Sequence, residues 1–389
     1  MYKSIIVPIL TVLALSPMAT AQEGRKQDDD AAVTAALEES WPDRPEWVDM
    51  FADILLGKDM GPQDGWFRRA VSQTRFGWKE TAARFDANND GRIDRSEFPG
   101  SDEDFARLDR DHDEALRESD FDFSPHALTP TPGIRVFYRL DRDGNGKVTR
   151  EEMEQFTKAA DTGGEGFLSL SDFQEALNPP TPPSSSNEDE ASSGPSRATL
   201  IRGLFRQEIG SLQPGPALGD EAPDFTLKTH DGESTVTLSK LIGPKPVVLV
   251  FGNFTCGPFR GQAGDVEKLY RRYKDRATFV MVYVREAHPT DGWRMESNDH
   301  VEISLPQPTT YAQRAAVATT CAAKLGLGFP LLVDTLDDTV GARYSGMPSR
   351  LYLIDSHGKI AYKSGRGPFG FKPSELEHSL LLLLDTPAP

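Results

Sequence analysis

The chain has 389 residues and a formal net charge of −17. That length predicts two domains. So acidic a balance, with no basic stripe interleaved with aromatics, argues against nucleic acid as a partner.

At the N-terminus Lys3 precedes an apolar run over residues 5–15, and Ala19-Thr20-Ala21 fits a small-residue cleavage site before Gln22. Residues 1–21 therefore read as a secretory signal. The run is short for a membrane span, so the expectation is an exported protein, periplasmic or secreted. An uncleaved N-terminal membrane anchor is the alternative. No other transmembrane span is expected.

Residues 22–178 hold four stretches with the spacing of calcium loops. Such a loop needs oxygen ligands at positions 1, 3 and 5, a glycine at 6, a backbone carbonyl at 7 and a bidentate glutamate at 12. The first, residues 86–97, supplies Asp86, Asn88, Asp90, Gly91, the Arg92 carbonyl and Glu97. The third, residues 141–152, supplies Asp141, Asp143, Asn145, Gly146, the Lys147 carbonyl and Glu152. Ile93 and Val148 stand at position 8, where paired loops join by a short β-bridge. The second, residues 109–120, keeps Asp109, Asp111 and Asp113, but Glu114 replaces the glycine and Asp120 the glutamate. It is expected to bind weakly or with an adapted geometry. The fourth, residues 161–172, has Gly163 at position 3 and reads as a structural partner. Polar turns rich in Asp and Gly are the plainer reading, but they would have to match every ligand position twice. An all-α EF-hand region binding calcium is the expectation, and millimolar calcium outside the cytoplasm would suit an exported protein.

Residues 179–197, PPTPPSSSNEDEASSGPSR, carry almost no apolar content and read as a disordered linker. Next, Leu200, Ile201, Leu204, Phe205 and Ile209 gather on one helical face, expected to dock on the domain that follows, with a short interaction helix as the alternative. Residues 198–389 then alternate strand and helix patterns, predicting an α/β domain. Strands are expected over 224–227 and 235–238 around Asp231-Gly232, and over 247–250, 278–284, 331–333, 350–354 and 359–363. Helices are expected over 311–325 and, with proline at its start, 373–384.

Cys256 lies in FGNFTCGPF, residues 251–259, between a strand and a helix pattern. A helix N-terminus favours thiolate over thiol, so a depressed pKa and a nucleophilic role are expected. The alternative is a small buried hydrophobe. Phe259 stands three residues on, so this is no two-cysteine exchange motif. Cys321, the second and last cysteine, falls within the helix over 311–325. It reads as a buried helix residue or, more sharply, as a thiol that resolves an oxidised Cys256.

Three blocks in order make residues 217–384 resemble the iodothyronine deiodinase family. They are FGNFTCGPF, then YVREAHPTDGW over 283–293, then VDT at 333–335, PSRLYLI at 348–354 and GPFGFKP at 367–373. Cys256, with Thr255 before it, takes the place the family usually gives to selenocysteine. The resemblance implies a thioredoxin-like fold with a cis proline at Pro348. It implies reductive removal of halogen from iodothyronines or other halogenated phenols, with an external thiol reductant as co-substrate and a redox partner protein as a candidate. It also implies roles for Tyr283 and Glu286 as relay and for Arg350 against the anionic end of the substrate. His288 would supply the proton near neutral pH. Competing readings are a thiol peroxidase, in which Cys321 resolves, and a calcium-stabilised adaptor without catalysis.

Overall fold

The computed structural model describes residues 32, 35–58, 60–124, 136–137, 139–140, 147–177 and 195–385. The proposed signal segment, most of the linker and Asp141, Asp143 and Asn145 of the third loop lie outside them. In chain order the elements begin with α1 (Glu46–Leu56), α2 (Gly65–Arg69), β1 (Gln73–Thr74), α3 (Trp78–Phe85), β2 (Ile93–Asp94), α4 (Asp102–Leu108) and β3 (Ala115–Leu116). A 3-10 turn, Glu118–Phe121, leads to α5 (Arg150–Ala160), α6 (Leu170–Leu177) and α7 (Arg197–Phe205). Then follow β4 (Thr226–Thr229), β5 (Thr235–Thr237), α8 (Leu238–Leu241), β6 (Val247–Gly252), α9 (Gly257–Tyr273) and β7 (Thr278–Tyr283). A second 3-10 turn, Glu296–Val301, precedes α10 (Tyr311–Leu325), β8 (Leu331–Val333), α11 (Thr339–Tyr344), β9 (Arg350–Ile354), β10 (Ile360–Lys363) and α12 (Pro373–Asp385).

The chain forms two units, one of residues 1–74, 195–267 and 277–376, the other of 75–194, 268–276 and 377–389. This differs from the expected division near residue 178. Residues 46–74 belong with the α/β unit because their apolar side chains pack there. Val48, Met50, Phe51 and Ile54 of α1 and Trp66 of α2 share one buried cluster with Leu200 and Leu204 of α7. Ile201, Phe205 and Ile209 pack against it, so the helix after the linker buries its apolar face chiefly on α1 and α2, which precede the linker, rather than on the domain that follows.

The α/β unit is built on a mixed sheet in the order β1-β10-β9-β6-β7-β8-β4-β5. β6 is buried at every residue, the mark of a central strand covered on both faces. It pairs in parallel with β7, from Val247↔Thr278 to Gly252↔Tyr283, and antiparallel with β9, from Val247↔Ile354 to Phe251↔Arg350. This register carries the C-terminal ends of β6 and β7 to one edge of the sheet, beside the start of β9. Helix α9 begins at Gly257-Pro258, where proline's missing N–H falls among donors a helix start leaves unpaired in any case. Thr310 and Gln313 close a capping box on α10, and Gly326 ends it in the left-handed region at φ 64. The Met347–Pro348 bond is cis, as the resemblance implies. The edge strand β1 pairs Gln73 with Lys363 and was absent from the sequence reading.

Among the described residues the second unit's regular elements are helices and one short antiparallel pair, β2 with β3, in which Ile93↔Leu116 joins position 8 of the first two loops. Phe85 and Phe98 meet edge to face at 5.8 Å. Arg276 bonds to Asp104 at 2.8 Å and to Asp385 at 2.9 Å, a three-membered ion network. Among the described residues no helix is long and apolar enough to cross a membrane.

Candidate active site and cation loops

Four consecutive residues after β6 make the cysteine turn, and Asn253 organises them. Its Oδ1 accepts from the N–H groups of Cys256 and Ala287, both at 3.1 Å, and its Nδ2 donates to the Pro348 carbonyl at 3.0 Å. One amide thus ties the cysteine turn to the segment after β7 and to the cis proline. Sequence reading missed Asn253 as a positioning residue. The available signal was an amide, donor and acceptor at once, three residues before a reactive-cysteine candidate.

Glu286 is the second centre, with 1% of its surface exposed. Oε2 accepts from Thr255 N at 3.0 Å and Thr255 Oγ1 at 2.8 Å, and the Tyr283 hydroxyl donates to Oε1. The Tyr283 oxygen in turn accepts from Phe254 N at 3.0 Å. Thr255 Oγ1 accepts from the His288 N–H at 3.0 Å. Gln307 holds Glu286 by its backbone, accepting from Glu286 N at 3.0 Å and donating to Glu286 O at 3.2 Å. Burial raises the Glu286 carboxyl above its ordinary range, while Tyr283 and Thr255 oppose that shift. Tyr283, fully enclosed, is pushed well up by burial and by the Glu286 charge.

Two protonation expectations are reversed. Cys256 is 1% exposed, and burial pushes its thiol up to about 11. A Phe259 backbone hydrogen bond and Arg260 pull it down, and Glu286 pushes it up. A helix N-terminus is worth about 0.3–1 kcal/mol at an exposed site, whereas full burial shifts a pKa by up to about 3–5 units. Desolvation wins, so Cys256 rests as a thiol. His288 is the second case. Burial pushes it down to about 4, against the opposing hydrogen bond to Trp293. A carbonyl only accepts, so Nδ1 carries the proton toward Trp293 O at 3.0 Å and Nε2 is bare. At neutral pH His288 is an acceptor, not a ready acid.

The structure therefore brings Cys256, Thr255, Tyr283, Glu286 and His288 into one network. Cys321, fully buried on α10, is also pushed up by burial and feels Glu286 and Arg260; both cysteines are free thiols. Arg350 lies outside this hydrogen-bond network. It is 1% exposed, and its guanidinium donates to the carbonyls of Ser364 at 3.0 Å and Pro214 at 3.1 Å. The segment after β7 also floors a cleft of about 300 Å³, walled by Leu200, Arg206, Ile209, Pro289 and Trp293 and touching Glu286.

In the first cation loop Asp86 accepts from the N–H groups of Asp90 and Gly91, each at 3.1 Å. Glu97 reaches back to Ala87 N at 3.0 Å and Asn88 N at 3.2 Å. The second loop repeats this despite its two departures. Asp109 accepts from Asp113 N at 3.2 Å and Glu114 N at 2.9 Å; Asp120 accepts from Arg110 N at 2.7 Å and Arg117 N at 2.8 Å. Glu114 takes the left-handed φ of 67 that Gly91 supplies at 85 in the first loop. The loop conformation is thus retained rather than adapted. Ligand atoms of Asp109, Asp111 and Asp120 all lie within 4.8 Å of one another, and Asp113 Oδ1 accepts from Ala115 N at 3.1 Å. Burial raises Asp109, and pushes Asp120 to about 6. Of the third loop, Glu152 is described, closing a capping box with Thr149 on α5. The fourth loop repeats the first contact, with Asp161 accepting from Glu165 N at 2.9 Å and Gly166 N at 2.7 Å.

Comparison with known proteins agrees with both halves. The iodothyronine deiodinase family model matches residues 197–382, and the EF hand model matches 83–98 and 134–157. The type I iodothyronine deiodinase of Xenopus laevis is 32% identical over 167 residues, covering 42% of this chain and 63% of that protein. The thyroxine 5-deiodinase of Rattus norvegicus is 34% identical over 162 residues, covering 41% and 51%. The chain thus spans less than two thirds of either relative. A solved structure of an uncharacterized conserved protein from Geobacillus kaustophilus aligns with a TM-score of 0.33 and 20% identity, over 43% of this chain and 82% of that one. Residues 197–382 thus match the iodothyronine deiodinase family model and form an α/β domain on a mixed sheet, joined in one chain to a region that matches the EF hand model.

Proposed function

We propose that the protein is an exported, calcium-binding thiol oxidoreductase that reductively dehalogenates iodothyronines or other halogenated phenols through Cys256. The observation that carries this reading is the buried network that joins the Cys256 turn to Asn253, Thr255, Tyr283, Glu286 and His288, with Cys256 itself 1% exposed. Such enclosure keeps water from a sulfur–halogen intermediate.

The chemistry balances from a protonated thiol. Sulfur takes the iodine, the carbon–iodine bond breaks and a sulfur–iodine bond forms. The ring carbon keeps the electron pair and receives a proton, so Cys256–SH and the aryl iodide become Cys256–SI and the reduced phenol. One molecule of an external thiol displaces iodide and leaves a mixed disulfide; a second frees Cys256 and departs as the oxidised reductant. A neutral His288 with a bare Nε2 is suited to collect the thiol proton and return it to carbon. The Tyr283–Glu286–Thr255 chain holds the His288 backbone and buffers charge next to the sulfur.

In the second unit the cation would be held by Asp86, Asn88, Asp90, Glu97 and the Arg92 carbonyl, and by Asp109, Asp111, Asp113 and Asp120. Glu152 and the Lys147 carbonyl would complete the third site with Asp141, Asp143 and Asn145. The ion fixes these loops, and export through residues 1–21 would deliver the protein to abundant calcium. The deciding experiment measures iodide release from iodothyronines and iodinated phenols by the full chain with a thiol reductant. Release that depends on Cys256 and vanishes in Cys256→Ser is expected. No release from any of these substrates, or equal release by the variant, would refute the proposal.

A further inference from the structure

Burial alone would hold Cys256 inert, so the site needs a compensating charge. Arg260 stands four residues along α9, its backbone N–H bonded to the Cys256 carbonyl at 3.1 Å. Its guanidinium turns back over the cysteine turn. Nη1 donates to the Phe254 carbonyl at 2.5 Å and Nη2 to Asn298 Oδ1 at 2.7 Å, while Asn298 Nδ2 donates to the Thr255 carbonyl at 3.0 Å. Both carbonyls that precede Cys256 are thus gathered by one arginine–asparagine pair. Both acceptors of the guanidinium are neutral. Among the described residues no carboxylate lies within ion-pair reach of it, and Glu286 acts on it only from farther off.

We infer that Arg260 is the positioning residue that generates the Cys256 nucleophile: it fixes the cysteine turn and presents to the buried sulfur a positive charge that no ion pair holds. The inference rests on the reading of Cys256 as the nucleophile. Of the groups acting on that sulfur, the Phe259 backbone hydrogen bond and Arg260 favour the thiolate, and Arg260 is the one that carries a charge. Glu286, at the end of the segment after β7, opposes the thiolate. Tyr283 is bonded to Glu286 and neutral, and His288 is neutral at working pH. From α10, Cys321 is a neutral thiol, and Arg314 is spent on Asp338 at 2.7 Å. Arg260 in turn is pushed down by its own burial and up by Cys256, Cys321 and Glu286, the response of a cation facing acidic groups. An arginine suits the task because its fork bonds two acceptors and still carries its charge.

The test reads the thiol itself, by iodoacetamide alkylation of the calcium-loaded full chain at fixed pH between 7 and 9, followed at the Cys256 peptide by mass spectrometry. Well below the thiol pKa the rate tracks the thiolate fraction, so a pKa higher by one unit slows it about tenfold. Arg260→Gln is expected to slow alkylation about tenfold or more, and Arg260→Lys, which keeps the charge, to stay within about threefold of the parent. A rate unchanged or raised in Arg260→Gln overturns the inference. So does Arg260→Lys as slow as Arg260→Gln, which would make shape rather than charge the cause. If Arg260→Gln fails to fold, Asn298→Asp carries the test: it sets a carboxylate against the guanidinium. The same slowing is then expected, and an unchanged rate overturns the inference. Failure of dehalogenation leaves this readout intact, so the two proposals fail separately.

Discussion

The cation loops and the cysteine turn both hold acidic side chains, and they hold them in opposite ways. Asp86 and Glu97 belong to one continuous dozen residues and receive backbone N–H groups from that same stretch. The groups at Cys256 come from separated segments, around residues 253–260, 283–288, 293–298 and 347–348. A local ligand set announces itself by spacing. A site assembled by the sheet announces only the residues that motif likeness happens to mark, and its protonation is decided by burial, which no spacing encodes.

The largest effect expected is on the loops. Glu97→Gln should remove one calcium from the stoichiometry measured by calorimetry, since it replaces a bidentate carboxylate. Asp120→Asn should remove another if the second loop is a true site, given its retained geometry. Unchanged stoichiometry in Glu97→Gln would break the local half of the contrast. Asp120→Asn without effect would confine binding to the loops with full ligand spacing.

Next in size is the proton path. His288→Ala should lower turnover of an iodinated phenol about 10²-fold, the usual scale for a lost proton-transfer group. Cys321→Ser should do little, because dehalogenation with an external thiol needs no resolving cysteine. The reverse pattern, with Cys321→Ser the damaging change, would mark a peroxidase. Since His288 titrates at about 4 rather than 6.5, the rate should also show no histidine step between pH 6 and 8.

Much of the fold was legible beforehand. Strands β4 to β10 and helices α10 and α12 fall within a residue or two of their expected ranges, because alternation, caps and turn residues are local. Residues 46–74 were not placed correctly: α1 and α2 lie far in sequence from α7, and nothing in their own pattern says which core they enter. Within the site, Cys256, Thr255, Tyr283, Glu286 and His288 were found by motif. Asn253, Arg260, Asn298 and Gln307 were missed, since their roles exist only once distant segments meet. The charge states of Cys256 and His288 were misjudged for the same reason.

Smaller effects sharpen the contrast through stability. A histidine whose folded pKa is depressed contributes no penalty above its unfolded value near 6.5. Below that, the unfolded chain gains a proton the folded chain refuses, so stability falls until pH reaches about 4, where His288 titrates in place. Asp334 and Asp385, each raised to about 6, act in the opposite sense as pH falls. The effect is therefore read as a difference: His288→Gln should lose less stability than the parent between pH 6.5 and 4, by on the order of 2 kcal/mol. Equal losses would mean that His288 is not held neutral by burial. Smallest of all, Glu114→Gly should stabilise the second unit by about 1 kcal/mol in denaturant titration, by relieving a left-handed non-glycine residue. A destabilised variant would mean that the Glu114 side chain supports the loop in a way its backbone does not reveal.

The most direct test of the thiol as halogen acceptor is a single turnover without reductant. Calcium-loaded protein, fully reduced and freed of small thiols, is mixed with excess iodinated phenol, and both the phenol and the Cys256 peptide are quantified. A nucleophilic Cys256 gives one equivalent of deiodinated phenol per protein, Cys256 protected from alkylation in the same proportion, and iodide released only when thiol is added. Deiodinated phenol formed with Cys256 still fully reduced, or none formed while thiol-driven turnover proceeds, would contradict it.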